Sequence, residues 1–223
     1  MMNERLKLLE KKLKDERSKK VVFLAHCILN ENTRYLGGAF RKGCIDEVVD
    51  EIQRQGIGMV QMKCPEQKGW GGLLKKRMWQ PLGSRNTILY KLKGVFLPCF
   101  IWNTKRIYQK IAKEIVAEIK DYRESDFEVL GIMGIAGSPS CGVTRALDIK
   151  KSFDFLANTN INDLNRKRMN ELGVRELIIE GKGFFIKVIE KELKKKKINV
   201  RFYEHDLSSE IKGEEVKIEL SQE

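Results

Sequence analysis

Short apolar runs alternate with amphipathic stretches along this chain. Four runs have the length and the polar boundaries of buried strands: Val21–Ala25, Ile57–Met62, Phe127–Ile135 and Ile198–Tyr203. Apolar residues at steps of three and four predict helices over four other segments: 3–17, Gly43–Arg54, a long helix that begins at Asn103, and Phe184–Leu193. Asn103 or Thr104 is the expected cap of the long helix. This alternation predicts a single α/β domain with a mostly parallel, Rossmann-like sheet and helices on both faces.

Residues 67–102 interrupt the alternation. They are rich in glycine and lysine, and they contain all three tryptophans, Trp70, Trp79 and Trp102. We interpret this stretch as an insertion, because long irregular segments in compact domains are more often functional than idle. Its aromatic rings and cations suit nucleic-acid binding, but packing against the core or a partner subunit is the commoner role of tryptophan and is favoured here.

The predicted domain covers residues 19–206. An amphipathic helix (1–18), with Leu6, Leu9 and Leu13 on one face, precedes it, and an acidic tail (207–223) follows it. The sequence leaves open whether the protein forms a homodimer.

The net charge of the 223-residue chain is +12, and it is unevenly distributed. Asp206–Glu223 holds six acids and two lysines, a net charge of −4, so the rest carries +16. A basic body fits an anionic partner such as RNA or a nucleotide, although a lysine-rich solvated surface is the more common explanation. No apolar run of about 18 residues predicts a membrane span, and the charged start lacks the apolar core of a signal peptide. We therefore expect a cytoplasmic protein with no membrane partner.

Three of the five cysteines stand in polar, turn-like segments just beyond a predicted strand: Cys27, Cys64 and Cys141. The carboxyl ends of parallel strands share one edge of a sheet, so these three thiols are expected to converge there. Three thiolates can hold a metal cluster and leave one iron without a protein ligand. Three separately buried core cysteines are the alternative. Cys44 and Cys99 have weaker contexts, and we expect both to pack in the core unless one supplies a fourth ligand.

Several short motifs occur in a fixed order between about residues 20 and 206. They are Cys27 with Arg34-Tyr35 and Gly37-Gly38, Cys64-Pro65-Glu66, Gly137-Ser138-Pro139-Ser140-Cys141-Gly142, Gly181-Lys182-Gly183, and Glu204-His205. Together they resemble the thiouracil desulfidase family. The chain departs from that family at Gln67–Arg77, where a Gly-Gly-Leu-Pro-Thr-Pro-Arg-like run is usual, and it therefore resembles a divergent member.

The resemblance implies a [4Fe-4S] cluster held by Cys27, Cys64 and Cys141, with the fourth iron open to the sulfur of a thiolated nucleobase. The implied reaction is hydrolytic and non-redox, converting a 2-thiouracil-like pyrimidine or related thioamide into its oxygen analogue and sulfide. The implied partner is a small thiolated nucleobase or nucleoside. A basic RNA- or nucleotide-binding protein with a structural metal or closed iron–sulfur site is the alternative.

Other polar residues near these motifs are candidates for the chemistry. Glu66 lies two residues after a predicted ligand and can activate water or move a proton, although it can also form a structural ion pair. Ser138 and Ser140 can contact substrate, but serines also stabilise turns. Three further residues are candidates for substrate binding: Arg34, Tyr35 and His205. His26 is expected to be structural.

Overall fold

The computed structural model describes residues 4–77, 85–163, 165–172 and 176–206. Its strands are β1 (Lys20–Leu24), β2 (Gly58–Gln61), β3 (Glu128–Ile135), β4 (Arg145–Leu147), β5 (Ile178–Glu180) and β6 (Phe202–His205). Four of them form one sheet in the order β2-β1-β3-β6, and every neighbouring pair is parallel. The predicted α/β fold with a parallel sheet is thereby confirmed.

Continuous apolar runs explain the central strands. Val21, Val22, Phe23 and Leu24 are consecutive and all buried, although their side chains alternate between the two faces of the sheet. Both faces are therefore covered at β1, as expected of a parallel sheet. The last strand begins at Phe202 rather than at Ile198 and continues through His205.

Besides two short 3-10 helices (Glu31–Thr33 and Ile161–Asp163), nine α-helices have both ends among the described residues. They are α1 (Glu4–Leu13), α2 (His26–Leu29), α3 (Asp46–Arg54), α4 (Pro65–Gly69), α5 (Ile88–Lys91), α6 (Lys93–Glu124), α7 (Ile149–Asn158), α8 (Arg166–Leu172) and α9 (Phe184–Lys195). The main core joins the sheet to α3, α6 and α9. The short β4 and β5 pair antiparallel beside it, and the sequence pattern did not predict them because each has only three residues.

The long helix α6 starts ten residues earlier than the pattern predicts. It begins at Lys93, so Asn103 and Thr104 lie inside the helix and cap nothing. Pro98 lies within this helix, although proline lacks the N–H that an interior helical position donates. The helix nevertheless continues through Pro98. Residues 93–102 of the predicted insertion therefore belong to α6.

The tryptophans of the predicted insertion have different environments. Trp70 is buried with Phe100 and Phe153 in a second, smaller apolar cluster, whereas Trp102 is largely exposed. Trp79 and the acidic tail 207–223 lie outside the described residues. None of the described helices is both long enough and apolar enough to cross a membrane.

Candidate functional site

Three neighbouring strands deliver the three loop cysteines to one edge of the sheet. The strand order reverses at β1, because β2 lies on one side of it and β3 on the other, and such a switch point creates a crevice beyond the carboxyl ends of the strands. Cys27 lies in α2 directly after β1, Cys64 caps α4 after β2, and Cys141 stands in the loop after β3. The predicted convergence is therefore observed.

The thiols of these cysteines influence one another electrostatically. Burial, together with the carboxylate of Glu66 and the neighbouring Cys27, raises the pKa of Cys64 to about 12. Burial also raises the pKa of Cys141 well above its usual range, with contributions from Cys27, Glu66 and Cys64. For Cys27, burial again dominates, although Arg34 acts in the opposite direction. All three are therefore protonated thiols at neutral pH in the ligand-free protein.

A cluster makes different geometric demands from those of a single ion. Among the described residues, no group of three or more His, Cys, Asp or Glu side chains is arranged to hold one metal ion. In a cubane cluster each cysteine binds a different iron, so the thiolates stand farther apart than they do around one ion. Three sulfurs from three loops, buried within electrostatic reach of one another, fit the donor set of such a cluster.

Tight backbone packing fixes the loop that carries Cys141. The Ser138 hydroxyl accepts the backbone N–H of Cys141 at 3.0 Å and that of Ser140 at 3.3 Å. A Cβ at Gly134 would lie 2.1 Å from the Cys141 carbonyl oxygen, and one at Gly183 would lie 2.5 Å from that of Ser140. Only glycine fits at these two positions, which explains the glycines around the motif. Ser138 acts here as a turn-forming residue.

Glu204 holds the far end of the same loop. Its carboxylate accepts the backbone N–H of Val143 at 2.6 Å and the N–H and hydroxyl of Thr144. His205, the next residue, is buried at the end of β6 opposite Ile135. The Glu204-His205 motif thus joins the last strand to the cysteine loop, and the substrate-binding role of His205 stays a prediction.

A buried ion pair lies beside the thiols. The Lys75 ammonium is 3.1 Å from a Glu66 carboxylate oxygen and donates to the Thr33 carbonyl at 2.9 Å. Only 2% of Lys75 is exposed. Burial acts to lower the pKa of Lys75, but the carboxylate of Glu66 reverses that effect, so its pKa is raised. Lys75 therefore remains a cation beside the three sulfurs.

Lys75 was not a predicted site residue, because the sequence placed it only among the cations of the insertion. Gly71 and Gly72 both adopt positive φ, and Lys75 itself has φ of 51°. These three left-handed conformations turn the chain back so that the lysine reaches the cysteines. The adjacent glycines were the available signal in the sequence.

Arg34 is a buried residue of the site rather than a surface residue. Its guanidinium lies 3.3 Å from the Glu31 carboxylate and donates to the Gly38 carbonyl at 3.2 Å. Glu31 is completely buried and also accepts the backbone N–H groups of Phe40 and Arg41. Glu31, which the sequence did not single out, therefore orients Arg34 next to Cys27.

Tyr35 packs against the same group of charges. Its ring lies 2.6 Å from the position of a Cβ on Gly38, which explains that glycine. Burial raises the pKa of the Tyr35 phenol, while the nearby cations Arg34 and Lys75 act to lower it. Tyr35 therefore presents a neutral hydroxyl near the Glu66–Lys75 pair.

A buried pair of hydroxyls completes the site. The Tyr108 hydroxyl of α6 lies 2.8 Å from the Ser140 hydroxyl, and neither side chain is exposed. Burial raises the pKa of Tyr108 well above its usual range, and the nearby Glu66 adds to that effect. Tyr108 was missed because it sits within the apolar stripe of α6. A phenol within an apolar stripe was the signal that could have revealed it.

The remaining predictions have mixed outcomes. His26 is structural as expected, since its Nδ1 lies 3.1 Å from the Met62 carbonyl. The prediction that Cys44 and Cys99 pack in the core is wrong: Cys99 is exposed on α6, and Cys44 is half-buried with its thiol 3.0 Å from Asp46. Neither residue is therefore buried in the core.

Comparisons with protein-family profiles, with curated proteins and with solved structures found no match to this chain.

Proposed function

We propose that this protein is a desulfidase that holds a [4Fe-4S] cluster through Cys27, Cys64 and Cys141. The net reaction is hydrolysis of a thiocarbonyl: the carbon–sulfur bond of C=S breaks, water supplies the oxygen of the new C=O, and sulfur leaves as hydrogen sulfide. No electron is gained or lost. The substrate class is a thiolated pyrimidine of the 2-thiouracil type, or a related thioamide.

The observation that carries this proposal is the meeting of three sequence-distant thiols beside two buried cations. Arg34 and Lys75 both act to lower the pKa of Cys27, because a nearby positive charge stabilises a thiolate. Thiolate ligands and inorganic sulfides give a cluster site excess negative charge, and buried cations compensate for it. When bound, the cluster would supply a soft Lewis acid at an iron that has no protein ligand.

The side chains around the thiols have chemistry suited to the hydrolysis. The Glu66 carboxylate can accept a proton from water, and Lys75 fixes its position. The paired hydroxyls of Tyr108 and Ser140 can donate a hydrogen bond to a substrate heteroatom beside Cys141. Arg34 beside Cys27, and Tyr35 near Arg34 and Lys75, provide polar groups for the pyrimidine edge.

Anaerobic purification or reconstitution with iron and sulfide tests the cluster. We expect a brown protein with broad visible absorbance and iron and sulfide contents of about four each per chain. Cys27→Ala, Cys64→Ala and Cys141→Ala should each lose the cluster, whereas Cys44→Ala and Cys99→Ala, the matched controls, should keep it. Loss of iron in either control would show a closed site with four protein ligands.

Sulfide release tests the activity separately. The reconstituted protein is incubated anaerobically with a panel of thiolated bases and nucleosides, and both sulfide and the oxygen analogue are measured. We expect equal amounts of the two products from at least one thiopyrimidine. A colourless protein that retains zinc under these conditions would instead support the alternative of a binding protein with a structural metal.

A further inference from the structure

An apolar stripe on α5 and the start of α6 faces solvent. The exposed fractions are 75% for Ile88, 54% for Leu92, 71% for Val95 and 60% for Trp102. Their spacing of four, three and seven residues places them on one side of the nearly continuous helical segment 88–106. Side chains of this size rarely form a contiguous exposed row unless something covers them.

The chain segment that carries this stripe has charges of one sign, and the acid that reaches it from another helix is Asp154 of α7, which pairs with Lys93 at 2.8 Å. Residues 67–113 contain eleven lysines and arginines and no aspartate or glutamate. Lys91 and Lys105 are exposed near the stripe, and the Arg106 guanidinium lies 4.9 Å from the centre of the Trp102 ring. Leu73 and Leu74, each about half exposed at 49% and 50%, precede Lys76 and Arg77 in the same acid-free segment.

These observations distinguish between three partners that could cover the stripe: a second copy of the chain, a nucleic acid and a lipid surface. A second copy of this chain would bring two strongly positive surfaces together, which costs electrostatic free energy. A nucleic acid would satisfy the cations, but bases stack on aromatic rings and not on the isoleucine, leucine and valine that make up most of the stripe. An anionic lipid surface satisfies both features, because acyl chains accept aliphatic side chains and headgroups attract lysine and arginine.

We propose that this basic apolar face, formed by Ile88, Leu92, Val95 and Trp102 with the cations Lys91, Lys105 and Arg106, binds peripherally to anionic membranes. The helical segment lies in the plane of the interface, with the aliphatic side chains below the headgroups and Trp102 at their level. The contact requires no membrane span, and it is independent of the proposed chemistry. It replaces the expectation from sequence that the protein has no membrane partner.

Flotation with lipid vesicles tests this proposal on the full-length protein, in both the cluster-free and the reconstituted form. We expect binding to vesicles of phosphatidylcholine mixed with phosphatidylglycerol, little binding to phosphatidylcholine alone, and weakening by salt. Leu92→Gln and Val95→Gln should each weaken partitioning by about tenfold, since each removes an aliphatic side chain from the bilayer. Ile179→Gln changes an exposed aliphatic residue on β5 and should have no effect.

Four results would overturn the proposal. The first is no binding to anionic vesicles, and the second is vesicle binding that Leu92→Gln and Val95→Gln leave unchanged. The third is a dimer, measured by light scattering, that these two substitutions convert to monomers, which would assign the face to a second copy. Binding of a single-stranded RNA oligonucleotide that depends on Trp102 and Leu92, without vesicle binding, would equally assign it to nucleic acid.

Discussion

The hydroxyl of Tyr108 lies 2.8 Å from that of Ser140, and both side chains are completely buried. This hydrogen bond connects the long helix α6 to the loop that carries Cys141. It therefore helps to fix the position of Cys141, a predicted cluster ligand, from outside the loop. It also places two hydroxyls beside the thiols while keeping both away from water.

Tyr108→Phe should destabilise the protein by roughly 1–3 kcal/mol, because it leaves the buried Ser140 hydroxyl without this partner. Urea unfolding of the cluster-free protein measures the loss. Ser140→Ala alone should cost a similar amount, but the double variant should cost less than the sum of the two, because both single variants break the same bond.

Tyr122→Phe is the matched control for that experiment. Tyr122 is only half-buried on the same helix and packs through its ring against Phe23 and Phe127, contacts that phenylalanine keeps. Its free energy of unfolding should change by less than about 0.5 kcal/mol. If Tyr108→Phe lowers the free energy of unfolding as little as Tyr122→Phe does, the Tyr108–Ser140 hydrogen bond is unimportant for stability.

Lys75→Met should destabilise the protein by about 3–5 kcal/mol, because it leaves the Glu66 carboxylate uncompensated in a buried site. Lys76→Met, which alters the exposed neighbouring lysine, should change stability by less than about 0.5 kcal/mol. Combining Lys75→Met with Glu66→Gln should restore part of the loss, since no unpaired charge then remains. If Lys75→Met alone changes the free energy of unfolding as little as Lys76→Met does, the Glu66–Lys75 ion pair does not contribute to stability as expected.

The contribution of Lys75 depends on pH in a definite direction. Its pKa is raised above the ordinary value of 10.5, because burial, which lowers it, is outweighed by the charge of Glu66. A group whose pKa is raised by folding contributes its full stabilisation at any pH below its ordinary pKa. That stabilisation is lost as the pH rises through the raised pKa of the folded state. The stability difference between the wild type and Lys75→Met should therefore be constant from neutral to mildly alkaline pH and should shrink only at strongly alkaline pH.

The sequence predicted the parallel sheet and the meeting of the cysteines because both depend on local signals. Runs such as Val21–Ala25 are short, continuous and bounded, and a cysteine placed just after each run must lie at the common edge. The start of α6 was misplaced because Pro98 normally ends a helix. Here the helix passes through it, with Phe100 packed against Trp70 and Phe153.

The site residues that the sequence did not reveal are brought there by contacts between positions that are far apart along the chain. Lys75 depends on the left-handed conformations at Gly71 and Gly72, and Glu31 depends on accepting N–H groups from residues 40 and 41. Such contacts join positions with no periodic relation to each other. Hydrophobic patterns encode which face of an element is buried, but they do not encode which polar groups meet beyond its ends.

Gly134→Ala should displace Cys141, because the added Cβ would lie 2.1 Å from the Cys141 carbonyl oxygen. Overpacking of this kind costs about 1–3 kcal/mol, and the reconstituted variant should contain less iron than the wild type. Gly94→Ala is the control, since nothing lies within 4 Å of its added Cβ and helical alanine is favoured over glycine. Full iron content in Gly134→Ala would show that the loop position is not critical for the cluster.

Alkylation with iodoacetamide under native conditions should separate the five cysteines by environment. In the cluster-free protein Cys99 should react first because it is exposed, and Cys44 should follow more slowly, since its hydrogen bond to Asp46 raises its pKa. With a pKa of about 12, Cys64 is a thiolate in only roughly one molecule in ten thousand at pH 8, and the thiolate is the reactive form. Cys27 and Cys141 should be slow for the same reason.

Mass spectrometry after increasing reaction times measures the order, and urea provides the control. Unfolding removes the burial that raises these pKa values, so all five cysteines should then react at similar rates. If Cys27, Cys64 or Cys141 reacts as fast as Cys99 in the folded protein, that thiol is not buried at the sheet edge. Cluster reconstitution should protect these three further while leaving Cys99 reactive, because only the three would be bound to iron.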